Sequence, residues 1–188
     1  MFRPDGTVVP VTLVETSPCV VTDLKTISRD GYQAIVVGFG HAKHVAKPQQ
    51  GQWKDLGSFE AVREFRVTDL AGYEIGQKID LSVFAPGDRV TVIGTSKGRG
   101  FQGVVKRHGF HGQSTTHGTK DQVRMPGSLG AGGVQRVFLG MRMGGRMGQD
   151  RVTVKNLEIV DVRAQEGLLA IKGALPGARH SLVMIQTS

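Results

Sequence analysis

Residues 94–107 read Gly94-Thr95-Ser96-Lys97-Gly98-Arg99-Gly100-Phe101-Gln102-Gly103-Val104-Val105-Lys106-Arg107. Neither the two-residue period of a strand nor the 3.6-residue period of a helix runs through them. They open a 58-residue segment, Gly94 to Arg151, of the same character. Its basic residues are Lys97, Arg99, Lys106, Arg107, Lys120, Arg124, Arg136, Arg142, Arg146 and Arg151, against only Asp121 and Asp150. The chain's entire formal charge of +8 therefore lies here, and the remainder is neutral. A neutral body with one cationic arm implies a polyanionic partner.

The arm is far longer than the ~12–15 residues beyond which structureless loops become uncommon in compact domains. It holds fifteen of the chain's 27 glycines, and its large apolar side chains are few, chiefly Phe101, Phe110, Leu129, Phe138 and Leu139. Fixing each backbone unit costs roughly 1–2 kcal/mol, most of all for glycine. Self-burial cannot offset that cost. The arm is expected to be disordered alone or ordered by what it binds.

On either side the pattern is β. Val8–Val14 is an apolar, β-branched run, broken at Ser17-Pro18 and followed by Cys19–Leu24. Asp30-Gly31 signals a turn before Ala34–Phe39, and together these suggest an antiparallel meander. Residues 41–53 are basic and polar and read as a loop with one helical turn at most. Val62, Phe65 and Val67 mark another strand, and Val90–Ile93 follows the Pro86-Gly87 turn. After the arm, Val152 and Val154 alternate with polar residues, while Leu157 and Ile159 continue one position out of phase. Such a slip around Lys155-Asn156 predicts a β-bulge. Turns at Glu166-Gly167 and Pro176-Gly177 frame the strands Leu168–Ile171 and Leu182–Ile185. Short strands with frequent turns predict a small barrel or sandwich formed by residues 1–93 and 151–188, with 94–150 inserted as an extension.

Bulk properties remove several classes of function. No apolar run approaches the ~18–20 residues needed to span a bilayer, and no basic amphipathic stripe offers a membrane surface. The start, Met1-Phe2-Arg3-Pro4-Asp5, lacks the apolar block of a signal peptide. One cysteine, Cys19, excludes an internal disulfide and suits a reducing compartment, so an intracellular protein is expected. Cys19 itself reads as a small apolar residue in a strand.

The glycine-rich run resembles a phosphate-binding loop only superficially, because no Lys-Ser or Lys-Thr pair opens a helix after it. The better reading is close backbone approach to phosphates at Gly98, Gly100, Gly103, Gly144, Gly145 and Gly148, with Lys97 and Arg99 neutralising charge. Val104–His108 suits a short helix presenting Lys106 and Arg107. His108, His111 and His117 form the one dense histidine cluster, but a zinc site wants a fourth ligand and Cys19 is remote. No metal or cofactor is expected. These histidines suit base stacking and hydrogen bonds to phosphate or 2′-hydroxyl groups; Phe101 and Phe110 would join them or serve as local plugs. In Met141-Arg142-Met143-Gly144-Gly145-Arg146-Met147-Gly148, glycines keep the chain narrow, methionines adapt to irregular surfaces and arginines fork onto phosphates. The alternative is a flexible solvated loop. No triad, carboxylate pair or nucleotide motif supports catalysis or a small-molecule substrate.

Several blocks carry a specific family resemblance: Gly94 to Arg107, Thr116-His117-Gly118, Arg124-Met125-Pro126-Gly127-Ser128 and Arg136-Val137-Phe138. Met143 to Gly148, Arg151 to Glu158 and Lys172 to Gly177 complete the set. In this order and spacing the chain closely resembles large-subunit ribosomal protein three in its bacterial form. The resemblance implies a mainly β fold, a small translation-protein-type β-barrel with a long, largely irregular basic extension. It further implies direct binding to large-subunit (23S-type) rRNA, support of subunit assembly, and an arm reaching toward the peptidyl-transferase region. Neighbouring large-subunit ribosomal proteins would be its other partners, in a cytoplasmic ribosome, with an organellar one left open.

On this reading the rRNA-binding residues are Lys97, Arg99, Lys106, Arg107, His108, His111, His117, Lys120, Arg124, Arg136, Arg142, Arg146 and Arg151. Family members usually begin with a further first strand, so the resemblance implies either an upstream start or a barrel short of one strand. Thr91, Val123, Gly133-Val134-Gln135 and Leu139 depart from commoner family residues. Arg146 stands where some bacterial members carry a methylated Gln, so that modification does not carry over. Two rival readings stay open on the residues alone: an enzyme or regulator using the arm as a nucleic-acid clamp, and a free nucleic-acid chaperone. Co-sedimentation with large ribosomal subunits would separate all three.

Overall fold

The computed structural model describes residues 1–54 and 56–187. Its elements are mainly strands. In chain order they are β1 (Val11–Glu15), β2 (Cys19–Lys25), helix α1 (Ile27–Asp30), β3 (Ala34–Phe39), helix α2 (Lys47–Gln52), β4 (Ala61–Arg66), β5 (Lys78–Ile79) and β6 (Arg89–Thr95). Then come β7 (Phe101–Gln102), helix α3 (Val104–His108), β8 (Gly145–Arg146), β9 (Arg151–Arg163), β10 (Leu168–Lys172) and β11 (Val183–Thr187). The strands form a five-stranded sheet ordered β1-β10-β9-β6-β11, a four-stranded sheet ordered β4-β3-β2-β5, and the pair β7-β8. These are three open sheets; among the described residues the pairings do not close into a barrel.

The meander expected at the start is only partly realised. Strands β2, β3 and β4 do pair antiparallel in sequence. Strand β1, however, pairs with β10, from Val11 opposite Lys172 to Glu15 opposite Leu168. Beyond β1 the Thr16 N–H donates to Gly167 O at 2.7 Å, while Thr12 Oγ1 donates to Gly173 O at 2.6 Å. Pro18, with no N–H to offer a ladder, separates β1 from β2 and lets the chain change sheets. The Asp30-Gly31 signal is realised as the end of α1, where Gly31 takes φ +81° and its N–H caps Ile27 O.

The phase slip read at Lys155-Asn156 falls where Asn156 takes φ +62° inside β9, a conformation asparagine tolerates better than branched residues. Slightly further on, the register between β10 and β9 shifts between Ala170 and Ile171.

The chain divides into two compact units. The first comprises Met1–Val90, Asn156–Ala174 and Thr187, and the second Thr91–Lys155 with Leu175–Gln186. In the first unit Val21, Val90, Ile159, Leu169 and Ile171 are completely buried, each contributing roughly 1.5–3 kcal/mol of hydrophobic stabilisation. Five of its cations form ion pairs: Arg3 and Lys172 with Glu158, Lys25 and Arg29 with Asp23 and Asp30, and Arg163 with Asp161 and Glu166. Burial pushes the Cys19 thiol above its ordinary value and the Asp80 charge adds to this, so Cys19 is a poor nucleophile.

Candidate nucleic-acid interface

The second unit contains the arm. Its root is set by close backbone approach. A Cβ on Gly94 would lie 2.7 Å from Pro176 O and 3.3 Å from Val183 Cγ1, so only glycine fits. From there the two ends of the arm run side by side as a stem. Ser96 N–H donates to Asp150 O at 2.9 Å, and Gln149 N–H returns to Ser96 O at 3.1 Å. Arg99 N–H donates to Met147 O at 2.9 Å, and Met147 N–H to Gly100 O at 3.0 Å. The ladder ends in β7-β8, with Phe101 opposite Arg146 and Gln102 opposite Gly145. The expectation of neither helix nor strand across the whole arm is thus corrected at its base, where backbone pairing needs no side-chain period.

Helix α3 lies where the sequence suggested. Gly109, at φ +72°, ends it by donating its N–H to Val105 O. Val104 is buried at 3% exposure and anchors the helix, while Lys106 and Arg107 stay exposed. Two predicted contact residues bond within the chain here: Arg107 Nη1 donates to Met143 O at 2.8 Å, and His108 Nε2 lies 3.0 Å from the same oxygen. The His108 and Phe110 rings sit 6.1 Å apart.

The glycines divide by environment. A Cβ on Gly148 would fall 2.1 Å from Lys97 O, one on Gly145 2.8 Å from Arg107 Nη1, and one on Gly144 3.3 Å from Gln102 O. Their close approach is to this chain's own atoms. Gly98 has only an ordinary contact to Gln149, whereas Gly100 and Gly103 have open space where a side chain would stand.

Beyond α3 no residue from 111 to 142 is buried. Lys120, Arg124, Arg136 and Arg142 are exposed on this stretch, as are His111 and His117. Arg136 lies over the Phe138 ring at 5.6 Å, and Arg146 hydrogen-bonds Gln149. The three histidines are not brought together as ligands, and among the described residues no group of His, Cys, Asp or Glu is placed to hold a metal ion. No helix among the described residues is long and apolar enough to cross a membrane.

All ten basic residues of the arm are exposed. Among the described residues none makes an ion pair, in contrast to Arg3, Lys25, Arg29, Arg163 and Lys172 of the first unit. Lys97, Arg99, Lys106, Lys120, Arg124, Arg142 and Arg151 also lack any side-chain hydrogen bond or ring contact among the described residues. Sequence reading missed two further candidates, Arg179 and His180, exposed on a turn in the same unit. A Cβ on Gly177 would lie 2.4 Å from Ser181 Oγ and 3.1 Å from Thr95 O, so this turn packs on the arm's root. The adjacent Arg-His pair after Pro176-Gly177 was the available signal.

A family model described as Ribosomal protein L3 matches residues 66–188. The protein named "Large ribosomal subunit protein uL3" from Herpetosiphon aurantiacus is 48% identical over 189 residues, covering 98% of this chain and 89% of its own length. Its namesake from Carboxydothermus hydrogenoformans is 48% identical over 190 residues, covering 99% and 90%. That from Dehalococcoides mccartyi is 43% identical over 187 residues, covering 99% and 91%. With a family match across most of its length and near-complete alignment to these relatives, the chain belongs to the ribosomal protein L3 family.

Proposed function

We propose that this protein is a structural constituent of the large ribosomal subunit that binds 23S-type rRNA directly through residues 94–151. As a member of the ribosomal protein L3 family it is a ribosomal protein of translation, not an enzyme, and it acts in the cytoplasm. The supporting observation is the set of ten exposed cations without internal ion pairs, on a segment with almost no core. Unpaired arginines and lysines that repel one another are stabilised by phosphates, and counterion release drives the association. The arginines fork onto phosphate oxygens, while Lys97, Lys106 and Lys120 act as point charges. His111 and His117, free at the surface, would contact bases or sugars, and His108 would join them on release from Met143 O. Gly100 and Gly103 leave room for backbone phosphates.

In this reading residues 1–93 and 151–188 form a translation-protein-type barrel that positions the arm. The arm, 94–150, reaches toward the peptidyl-transferase region, supports subunit assembly, and leaves the barrel to meet neighbouring ribosomal proteins. Arg179 and His180 extend the cationic surface at the root.

The test is a salt titration of the purified protein with large-subunit rRNA. Seven phosphate contacts from the arm, one for each of its cations without an internal partner, contribute about −6 to the slope of log K against log salt by the duplex coefficient. Raising salt from ~50 to ~200 mM then weakens binding by roughly 10³- to 10⁴-fold. Replacing Arg99, Arg124 and Arg142 by alanine lowers the slope by about 3. A wild-type slope near zero refutes the proposal.

A further inference from the structure

A second cationic surface lies in the other unit. Residues 41–60 contain His41, Lys43, His44, Lys47 and Lys54 against two acidic residues, Asp55 and Glu60. The stretch belongs to an excursion between β3 and β4, closed at its base where Glu60 N–H donates to Phe39 O at 3.0 Å and Ala42 N–H to Ser58 O at 3.3 Å.

Its underside is fixed by two aromatic side chains. Trp53 and Phe59 are 5% and 9% exposed, and their rings meet edge to face with centroids 5.5 Å apart. Phe59 has its seat because residue 38 is glycine; a Cβ there would stand 2.6–2.8 Å from the ring. Helix α2 begins with Pro48 in its first turn, and Gln50 Nε2 donates to Val45 O at 3.0 Å. The loop is therefore held in one shape by an aromatic plug, and Lys43, Lys47 and Lys54 all remain exposed. Among the described residues these three lysines make no ion pair, although Lys25 and Lys172 of the same unit do. A cleft of about 480 Å³ beside the loop is lined by His44, Gln49 and Arg63, with Glu60 its single acidic group.

We propose that this plugged loop is a second phosphate-binding surface, which grips a stretch of rRNA backbone separate from that met by the arm. The inference rests on the rRNA-binding reading above and extends it from one contact region to two. A loop whose backbone is already held loses less freedom on binding than a segment without a core. The loop adds affinity and orientation at low entropic cost. Its charges are lysines and histidines without a bidentate fork, which suits phosphate positioning and not base readout.

The experiment uses the full chain with Lys43→Ala, Lys47→Ala and Lys54→Ala combined, in the same salt titration with large-subunit rRNA. The slope should fall by about 2–3, which is about 10- to 40-fold less weakening between ~50 and ~200 mM salt. A triple Lys→Arg variant should keep the wild-type slope. Emission from Trp53, the chain's one tryptophan, reports whether the plug stays seated, and a Lys→Gln set serves if the alanine set unseats it. A steep wild-type slope unchanged in the triple alanine or glutamine variant overturns the loop's role and leaves the arm's intact. The same result is expected if the loop docks an acidic protein instead. A flat wild-type slope overturns both.

Discussion

One methyl group added at Gly148 should unzip the root of the arm. Gly148 has φ +78°, a left-handed conformation that costs an L-residue roughly 1–2 kcal/mol. The new Cβ would also lie 2.1 Å from Lys97 O, 3.0 Å from Lys97 C and 3.1 Å from Gly98 Cα. All three are backbone atoms, so no side chain can swing aside and the two halves of the stem must part. The bonds nearest the clash are Arg99 N–H to Met147 O and Gln149 N–H to Ser96 O. At ~0.5–1.5 kcal/mol net each, their loss adds about 1–3 kcal/mol. Local destabilisation of about 2–5 kcal/mol follows, confined to the stem. Native-state hydrogen exchange resolves this: protection at the Arg99 and Gln149 amides should fall by about 30-fold or more. Leu169, in the other unit, should keep its protection. Gly103→Ala is the matched control, since Gly103 has φ −71° and no heavy atom within 4 Å of its would-be Cβ. Unchanged protection in Gly148→Ala, or equal loss in Gly103→Ala, would refute the reasoning.

Two more outcomes follow from the first unit. Arg29, assisted by Lys25 and the Thr26 N–H, holds the Asp30 carboxyl below its ordinary 3.8. A depressed folded value means the Asp30 charge stabilises the fold above about pH 4, and that support is lost as pH falls through the folded pKa. Asp30→Asn should therefore lower the Tm at neutral pH, with the gap to wild type closing as the Asp30 carboxyl becomes protonated in acid; a gap independent of pH would contradict this. Gly38→Ala drives a methyl into the Phe59 ring and should cost roughly 1–3 kcal/mol by overpacking. Thermal melting and a red shift of Trp53 emission would register it, and a wild-type melt with unshifted emission would count against the plug.

The legible parts of the fold are those where a local apolar pattern marks the strand itself. The apolar run Ala34–Phe39 is strand β3 to the residue, and the phase slip at Lys155-Asn156 is realised in backbone angles. Helix α3 was legible because two valines precede a basic pair and Gly109 supplies the stop. The partner of β1 was not legible, because it lies some 160 residues away and no local pattern names it. Nor was the stem. Strands β7 and β8 are two residues each, hold two of their four positions as polar or charged side chains and a third as glycine, and form through backbone bonds between distant segments. The exposed cations of the candidate interface followed directly from charge counting. What charge counting missed was that Gly144, Gly145 and Gly148 press against the chain itself. It also missed Arg179 and His180, because only folding brings their turn to the arm's root.

The central claim is that the arm beyond its stem takes its shape from RNA. Hydrogen exchange across residues 111–142, measured in the purified protein and again in the assembled large subunit, tests it most directly. In the free protein these amides should exchange rapidly, with Arg99 and Met147 in the stem distinctly slower, and in the subunit the whole stretch should become protected. Strong protection of residues 111–142 in RNA-free protein, unchanged on assembly, would contradict the account.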